Sequence, residues 1–221
     1  NKSIDNSKKI LKQLKDKRIS YFYSKKFLSL YHARNLAIKK AKGKYICFLD
    51  VDDYWSKDKL KKQVNYILKN SNYKIIYSNY FLRDENKKRI YVRYKKENLP
   101  FGFITQILLN DYTVGILTIM VDKKVFKFYK FKKIYNIIGD FDFIIRASLK
   151  FKIGCLQIPL AYYRIHSFNF SKKKIDLHIK ELKHWVSSNQ SLFKKFSLSS
   201  SALNTLILKL KIKNYTKFLG V

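Results

Sequence analysis

The stretch Tyr45-Ile46-Cys47-Phe48-Leu49-Asp50-Val51-Asp52-Asp53-Tyr54-Trp55 decides the fold. An apolar and aromatic run ends in three carboxylates within four positions. A short apolar run rich in β-formers suits a buried strand in a parallel sheet. Such a strand delivers its last side chains to the crevice outside the sheet's carboxyl edge. Three acids there repel one another unless a cation sits among them, and hard divalent cations such as Mg²⁺ or Mn²⁺ prefer carboxylate oxygen. A solvated acidic turn capping the next helix accounts for the same residues. Spacing alone does not choose between the two.

The composition sets the frame around this stretch. A chain of 221 residues can bury a sizeable core, and 47% hydrophobic with 16% aromatic residues marks it as globular, not disordered. The net charge of +33 comes from 48 Lys and Arg, seven of them Arg, against 15 Asp and Glu. Such a charge attracts polyanions: nucleic acid, anionic membrane or phosphorylated substrates. The lysines are spread along the whole chain, so a compositional drift explains much of the excess. In a chain so poor in acids, a cluster of three stands out. Cys47 and Cys155 lie in apolar runs without partners at metal-ligand spacing, which points to buried free thiols in a reducing compartment. The most apolar stretch, Phe101 to Val121, is interrupted by polar residues and makes a poor membrane span. A cytoplasmic location follows as the expectation, extending to peripheral contact with an anionic membrane face.

Outward from the opening stretch, helix and strand signals alternate. Residues 5–16 read as a short helix capped by Asp5 or Ser7, Arg18 to Tyr23 as a strand, and Leu30 to Ala41 as a helix closed by Gly43. After the acids, Ser56 caps a helix to about Lys69, and strands follow at Tyr73 to Leu82 and Ile90 to Tyr94. Further on come a helix from Phe101 to Leu109 and a strand from Val114 to Val121. A helix from Gly139 to Phe151 and two strands, Ile153 to Ile158 and Leu160 to His166, complete this part. The expected fold is α/β, a mixed and mostly parallel sheet flanked by helices. Residues 1–171 form its domain and 172–221 a Lys-rich, mainly helical C-terminal extension. Within the extension, Leu208, Leu210 and Ile212 alternate with lysines, a period of two that suits a strand, while Leu203, Leu206 and Ile207 keep helical spacing. A basic surface element docking on anionic lipid, or on a partner, is one reading of this segment; a solvated edge is the other.

Two further groups carry polar chemistry. In Gly139-Asp140-Phe141-Asp142-Phe143-Ile144-Ile145-Arg146, Asp142 and Arg146 stand at helical ion-pair spacing. Asp140, in the first turn, has the helix dipole as its local reason, or it faces a cleft as a general base. In Tyr162-Tyr163-Arg164-Ile165-His166 the histidine ends a strand, where it is a structural residue or completes a metal site.

Three blocks together carry a resemblance. Leu30-Tyr31-His32-Ala33-Arg34-Asn35-Leu36-Ala37 followed by Ala41-Lys42-Gly43-Lys44-Tyr45-Ile46 and Phe48-Leu49-Asp50-Val51-Asp52-Asp53 resembles the central block of the family 2 glycosyltransferases of GT-A fold. Gly139-Asp140-Phe141-Asp142 with Arg146, and Tyr163-Arg164-Ile165-His166, resemble that family's acidic motif and its later arginine–histidine segment. The resemblance implies that Asp50 and Asp52 are the Asp-x-Asp pair, one facing the nucleotide's ribose and the other, Asp52, binding Mn²⁺ or Mg²⁺. It implies His166 beside the metal, Arg34 near the nucleotide, and Asp140 as the base that deprotonates the acceptor hydroxyl. The implied reaction is an inverting, metal-dependent transfer from a nucleotide-diphosphate sugar to a glycan or lipid-linked acceptor, in cell-surface polysaccharide or glycan synthesis. The chain opens on Asn1-Lys2-Ser3-Ile4-Asp5, which resembles the segment after the family's second strand, so a fragment with weak or no activity of its own is expected. An inactive remnant, or a basic nucleic-acid-binding protein, is the competing reading; no nucleic-acid-binding motif supports the latter.

Overall fold

The computed structural model describes residues 5–95, 98–167 and 169–218. One mixed sheet organises them. Strand β1 (Tyr45–Cys47) pairs antiparallel with β5 (Met120–Asp122), which pairs antiparallel with β3 (Ile75–Asp84). Strand β3 runs parallel to β6 (Ile153–Ile165), and β6 pairs antiparallel with β2 (Tyr54–Trp55), giving the order β1-β5-β3-β6-β2. Strand β4 (Arg89–Val92) folds back on the far end of β3 as an antiparallel hairpin. The sheet is therefore mixed as expected, but only its longest ladder, β3 with β6, is parallel.

The centre of the sheet is covered on both faces, which the run Ile75-Ile76-Tyr77 reports directly. All three residues have no exposed surface, and consecutive side chains point to opposite faces. Ile75 and Tyr77 join a large core with α2 (Leu30–Lys40), α4 (Thr105–Asn110) and α5 (Gly139–Ser148). Ile76 joins a smaller core with Met120, Leu156, Leu160 and Ile67 of α3 (Lys59–Lys69). The C-terminal helices α7 (Ile175–Ser188), α8 (Gln190–Lys195) and α9 (Ser201–Phe218) contribute Trp185, Phe193, Leu203 and Ile207 to the large core.

Several expectations change. Arg18 to Tyr23 forms no strand: Ile19, Tyr21, Phe22 and Tyr23 are exposed, and alternation yields a strand only where a neighbour supplies hydrogen bonds. Val114 to Val121 splits into a 3₁₀ turn, Ile116–Thr118, and the short β5. The two strands expected on either side of Pro159 are one, β6, whose register against β3 shifts around Ser78 and Asn79, opposite Pro159. Proline lacks a donor N–H, and the ladder absorbs it as an irregularity instead of ending there. Residues 208–213 are helical within α9. Tyr54–Trp55, inside the opening stretch, adds the short strand β2 at the edge of the sheet.

Candidate active site

The acidic turn lies where it does because it joins the two edge strands. The chain leaves β1 at one end of the sheet and enters β2 at the other. Asp50 to Asp53 close as a turn, Asp53 N donating to Asp50 O at 3.1 Å, and Val51 is fully exposed at the tip. The carboxylates thus stand across the ends of the strands.

Each acid has a different partner. Arg34 Nη2 donates to Asp50 Oδ1 at 2.6 Å. Arg34 is itself buried, its guanidinium lying over the rings of Tyr31 and Phe48 at 5.4 and 5.7 Å. Asp52 Oδ2 lies 3.0 Å from His166 Nε2. Asp53 turns inward, where its Oδ1 accepts from the backbone N–H of Arg164 at 2.9 Å. Burial first, then the neighbouring Asp52 and Asp50, push the Asp53 carboxyl up to about 7, against the Arg164 hydrogen bond. Asp53 therefore ties the acidic turn to β6. Asn169 braces His166: its Oδ1 accepts from the His166 backbone N–H at 2.8 Å, and its Nδ2 donates to Arg164 O at 3.1 Å and lies 3.3 Å from His166 Nε2.

Asp140 is presented from the other side by α5. Tyr31, three residues before Arg34 on α2 and therefore on the same face, carries the link. Its hydroxyl donates to Ile137 O at 2.8 Å and lies 3.3 Å from Asp140 Oδ1. This approach requires Gly139, because a Cβ at that position would collide with the Tyr31 ring. Burial raises the Asp140 carboxyl above the usual carboxylate range, against the Phe141 N–H at 2.9 Å and the nearby charge of Arg34. Asp142 faces away from this site. It has no exposed surface and accepts from Arg146 at 2.5 and 3.0 Å and from Trp185 Nε1 at 3.0 Å, so it anchors α5 to α7.

Two concavities carry these residues, Arg34 with Asp50 on one and Asp140 on the other. One, of about 520 Å³, runs between α2 and β1 and is lined by Arg34, Phe48 and Asp50. The other, of about 630 Å³, reaches Asp140 and is walled by Tyr112, Phe141, Leu182 and Leu203, with His178 and Lys209 on it. Burial holds His178 below the ordinary imidazole value. Beside Asp140, the Tyr112 hydroxyl is buried without a hydrogen-bond partner among the described residues.

Among the described residues no three His, Cys, Asp or Glu side chains converge into a metal cage. Asp52 and His166 form a two-donor set, with Asp50 engaged by Arg34 and Asp53 by the backbone. Asp52 would give a Mg²⁺-like ion one carboxylate, its remaining positions filled by phosphate and water, with the His166 imidazole beside it.

The sequence-predicted residues thus come together in two groups, Arg34 with Asp50 and Asp52 with His166, while Asp140 joins them through Tyr31. Sequence reasoning missed Tyr31, Tyr112 and Asn169, although Tyr31 stands at helical spacing from Arg34.

The fold is GT-A-like, a mixed sheet flanked by helices. S. aureus TarS residues 1–349, solved in complex with UDP-GlcNAc, is similar over 97% of this chain and 61% of that one, with a TM-score of 0.65 and 16% identity. The chain belongs to glycosyl transferase family 2, a family of enzymes, whose profile matches residues 1–151. It is 32% identical to an uncharacterised glycosyltransferase of Haemophilus influenzae, over 78% of this chain and 68% of that protein. It is 30% identical to the UDP-Glc:alpha-D-GlcNAc-diphosphoundecaprenol beta-1,3-glucosyltransferase WfgD of Escherichia coli, over 61% of this chain and 51% of that one. The matches therefore span about half to two thirds of the length of these three proteins.

Proposed function

We propose that this chain carries the site for inverting transfer of a sugar from a nucleoside diphosphate sugar to an acceptor hydroxyl, in the synthesis of a cell-surface polysaccharide or glycan. The observation that carries this reading is the placement of Asp50, held by Arg34, on one concavity and of Asp140 on another, with Tyr31 linking Asp140 to the helix of Arg34. Two separated carboxylate sites suit a donor on one side and an acceptor on the other.

On this reading the donor lies on the Asp50 side, where Arg34 fixes the Asp50 carboxylate as acceptor for a ribose hydroxyl. Asp52 and His166 would hold Mg²⁺ or Mn²⁺, which, when bound, neutralises charge on the departing diphosphate. Asp140 takes the proton from the acceptor hydroxyl. Its raised proton affinity, set by burial, makes it a stronger base than an exposed carboxylate. The Tyr31 hydroxyl orients it, and the acceptor oxygen then attacks the anomeric carbon from the face opposite the leaving group. The two cysteines are free, in keeping with a cytoplasmic place for this chemistry.

The test uses Asp140→Asn and Asp52→Asn in a sugar-transfer assay paired with donor binding by calorimetry. Asp140→Asn is expected to keep donor affinity and lose at least 10²-fold in turnover, the scale of a missing general base. Asp52→Asn is expected to lose the dependence of nucleotide binding on the divalent ion. Undiminished turnover by Asp140→Asn would remove the base from the scheme.

A further inference from the structure

Helix α9 carries two apolar stripes. The inward one, Leu203, Ile207 and Leu210, packs into the large core, and Asn214 at its end donates to Asp176 Oδ1 at 2.7 Å. The outward one, Leu208, Ile212 and Tyr215, follows the same helical spacing on a separate face and is 57%, 57% and 65% exposed. Lys209, Lys211 and Lys213 are interleaved with it and exposed. Beyond Glu181 the sequence contains seven Lys and no Asp or Glu. An exposed apolar stripe flanked by lysines, with no acid among the helix's own residues, is the chemistry of a helix lying in the plane of an anionic bilayer. The apolar side chains enter the acyl boundary while the lysine stems reach the headgroups. Among the described residues no helix is long and apolar enough to cross a membrane.

We propose that the outward face of α9 docks on an anionic lipid bilayer and sets the Asp140 cavity at the headgroup level. Thr205, Leu206 and Lys209 of the same helix line that cavity, and Lys209 directly follows Leu208 of the stripe. A bilayer against Leu208, Ile212 and Tyr215 therefore lies beside the cavity's α9 wall. The mainly apolar walls, Leu108, Leu109, Leu182 and Leu203, then suit an acceptor carried on a lipid. This second step rests on the glycosyl-transfer reading; the docking itself does not.

Vesicle flotation tests the docking without donor or acceptor present. The chain is mixed with vesicles of phosphatidylcholine alone or with phosphatidylglycerol added, at low and at physiological salt. Wild type is expected to float with the anionic vesicles and to bind the neutral ones at least tenfold less. Leu208→Ser/Ile212→Ser/Tyr215→Ser is expected to lose at least tenfold in partitioning at unchanged helical content, since these side chains are exposed. Lys209→Gln/Lys211→Gln/Lys213→Gln should lose roughly fivefold per charge near the surface. An equal affinity of the stripe variant and wild type would overturn the proposal, leaving diffuse charge as the cause. So would an absence of binding to anionic vesicles, or a stripe-dependent dimer in sedimentation that leaves vesicles unbound. Donor calorimetry on the same stripe variant keeps the two readings apart, because it is expected to be unchanged whether or not docking fails.

Discussion

Glu181 offers the sharpest test of how the site is held. It sits on α7, only 5% exposed, and its carboxylate accepts three successive backbone N–H groups: Asn136 at 2.6 Å, Ile137 at 2.9 Å and Ile138 at 3.1 Å. These residues lead directly into α5, and Ile137 O is the acceptor of the Tyr31 hydroxyl. Glu181→Gln keeps the shape of the side chain and leaves one oxygen. Turned toward Ile137 and Ile138, that oxygen retains two bonds but in neutral form, losing about 1 kcal/mol each relative to charge-assisted ones. The amide then faces the Asn136 N–H and strands a buried donor, at about 1 to 3 kcal/mol. The expected loss is about 3 to 5 kcal/mol, a large part of a domain's total stability. Urea unfolding followed by the fluorescence of buried Trp185 measures it. In a sugar-transfer assay the variant should lose turnover while donor affinity holds, because Arg34 and Asp50 do not touch this loop. A stability change under about 0.5 kcal/mol, the range of ordinary surface substitutions, would refute the claim that this carboxylate holds the loop.

Three other perturbations probe the same assembly. Gly139→Ala should drive the Tyr31 ring out of its seat, costing about 1 to 3 kcal/mol as overpacking does, visible as a lower Tm together with reduced turnover. Asp140→Asn should stabilise the fold near neutral pH and not in acid. The folded-state carboxyl binds its proton more tightly than the unfolded one, so wild-type stability falls as pH rises from the ordinary Asp value through the raised one; equal melting curves at neutral pH would contradict this. For the same reason the acid limb of the kcat/KM profile should lie above the ordinary carboxylate range; a limb near pH 4 would count against Asp140 as base.

The elements that were legible in the sequence are those whose cause is local. The strand into Asp50 to Asp53, the helix of Arg34 and the helix of Asp140 follow from runs and periods within a dozen residues. The misreadings occur where a local pattern has two physical meanings. Alternation at 208–213 reads as a strand, yet on a helix Leu210 turns inward while Leu208 and Ile212 turn outward, which gives the same string. Alternation at 18–23 is a strand signal, but a strand also needs an edge to pair with. Residues such as Glu181, Asn169 and Tyr31 matter through partners set by tertiary packing, and Glu181 reaches its loop across more than forty positions of sequence. No period or spacing encodes such a contact; only the packing of α7 against α5 creates it.

The same packing explains why the C-terminal helices bear on the chemistry despite standing far from the acidic turn in sequence. Trp185 and Glu181 lie four residues apart on α7 and so share a face. The first donates to Asp142 on α5, and the second holds the loop that precedes α5. Between them they fix both the axis and the entry of the helix that presents Asp140. Tyr31 then ties that helix to α2, and Arg34, one turn along α2, ties it to Asp50. Displacement of α7 would therefore reach Asp140 first and Asp50 only through α2. A defect there should weaken turnover before it weakens donor binding, the same order that Glu181→Gln is expected to show.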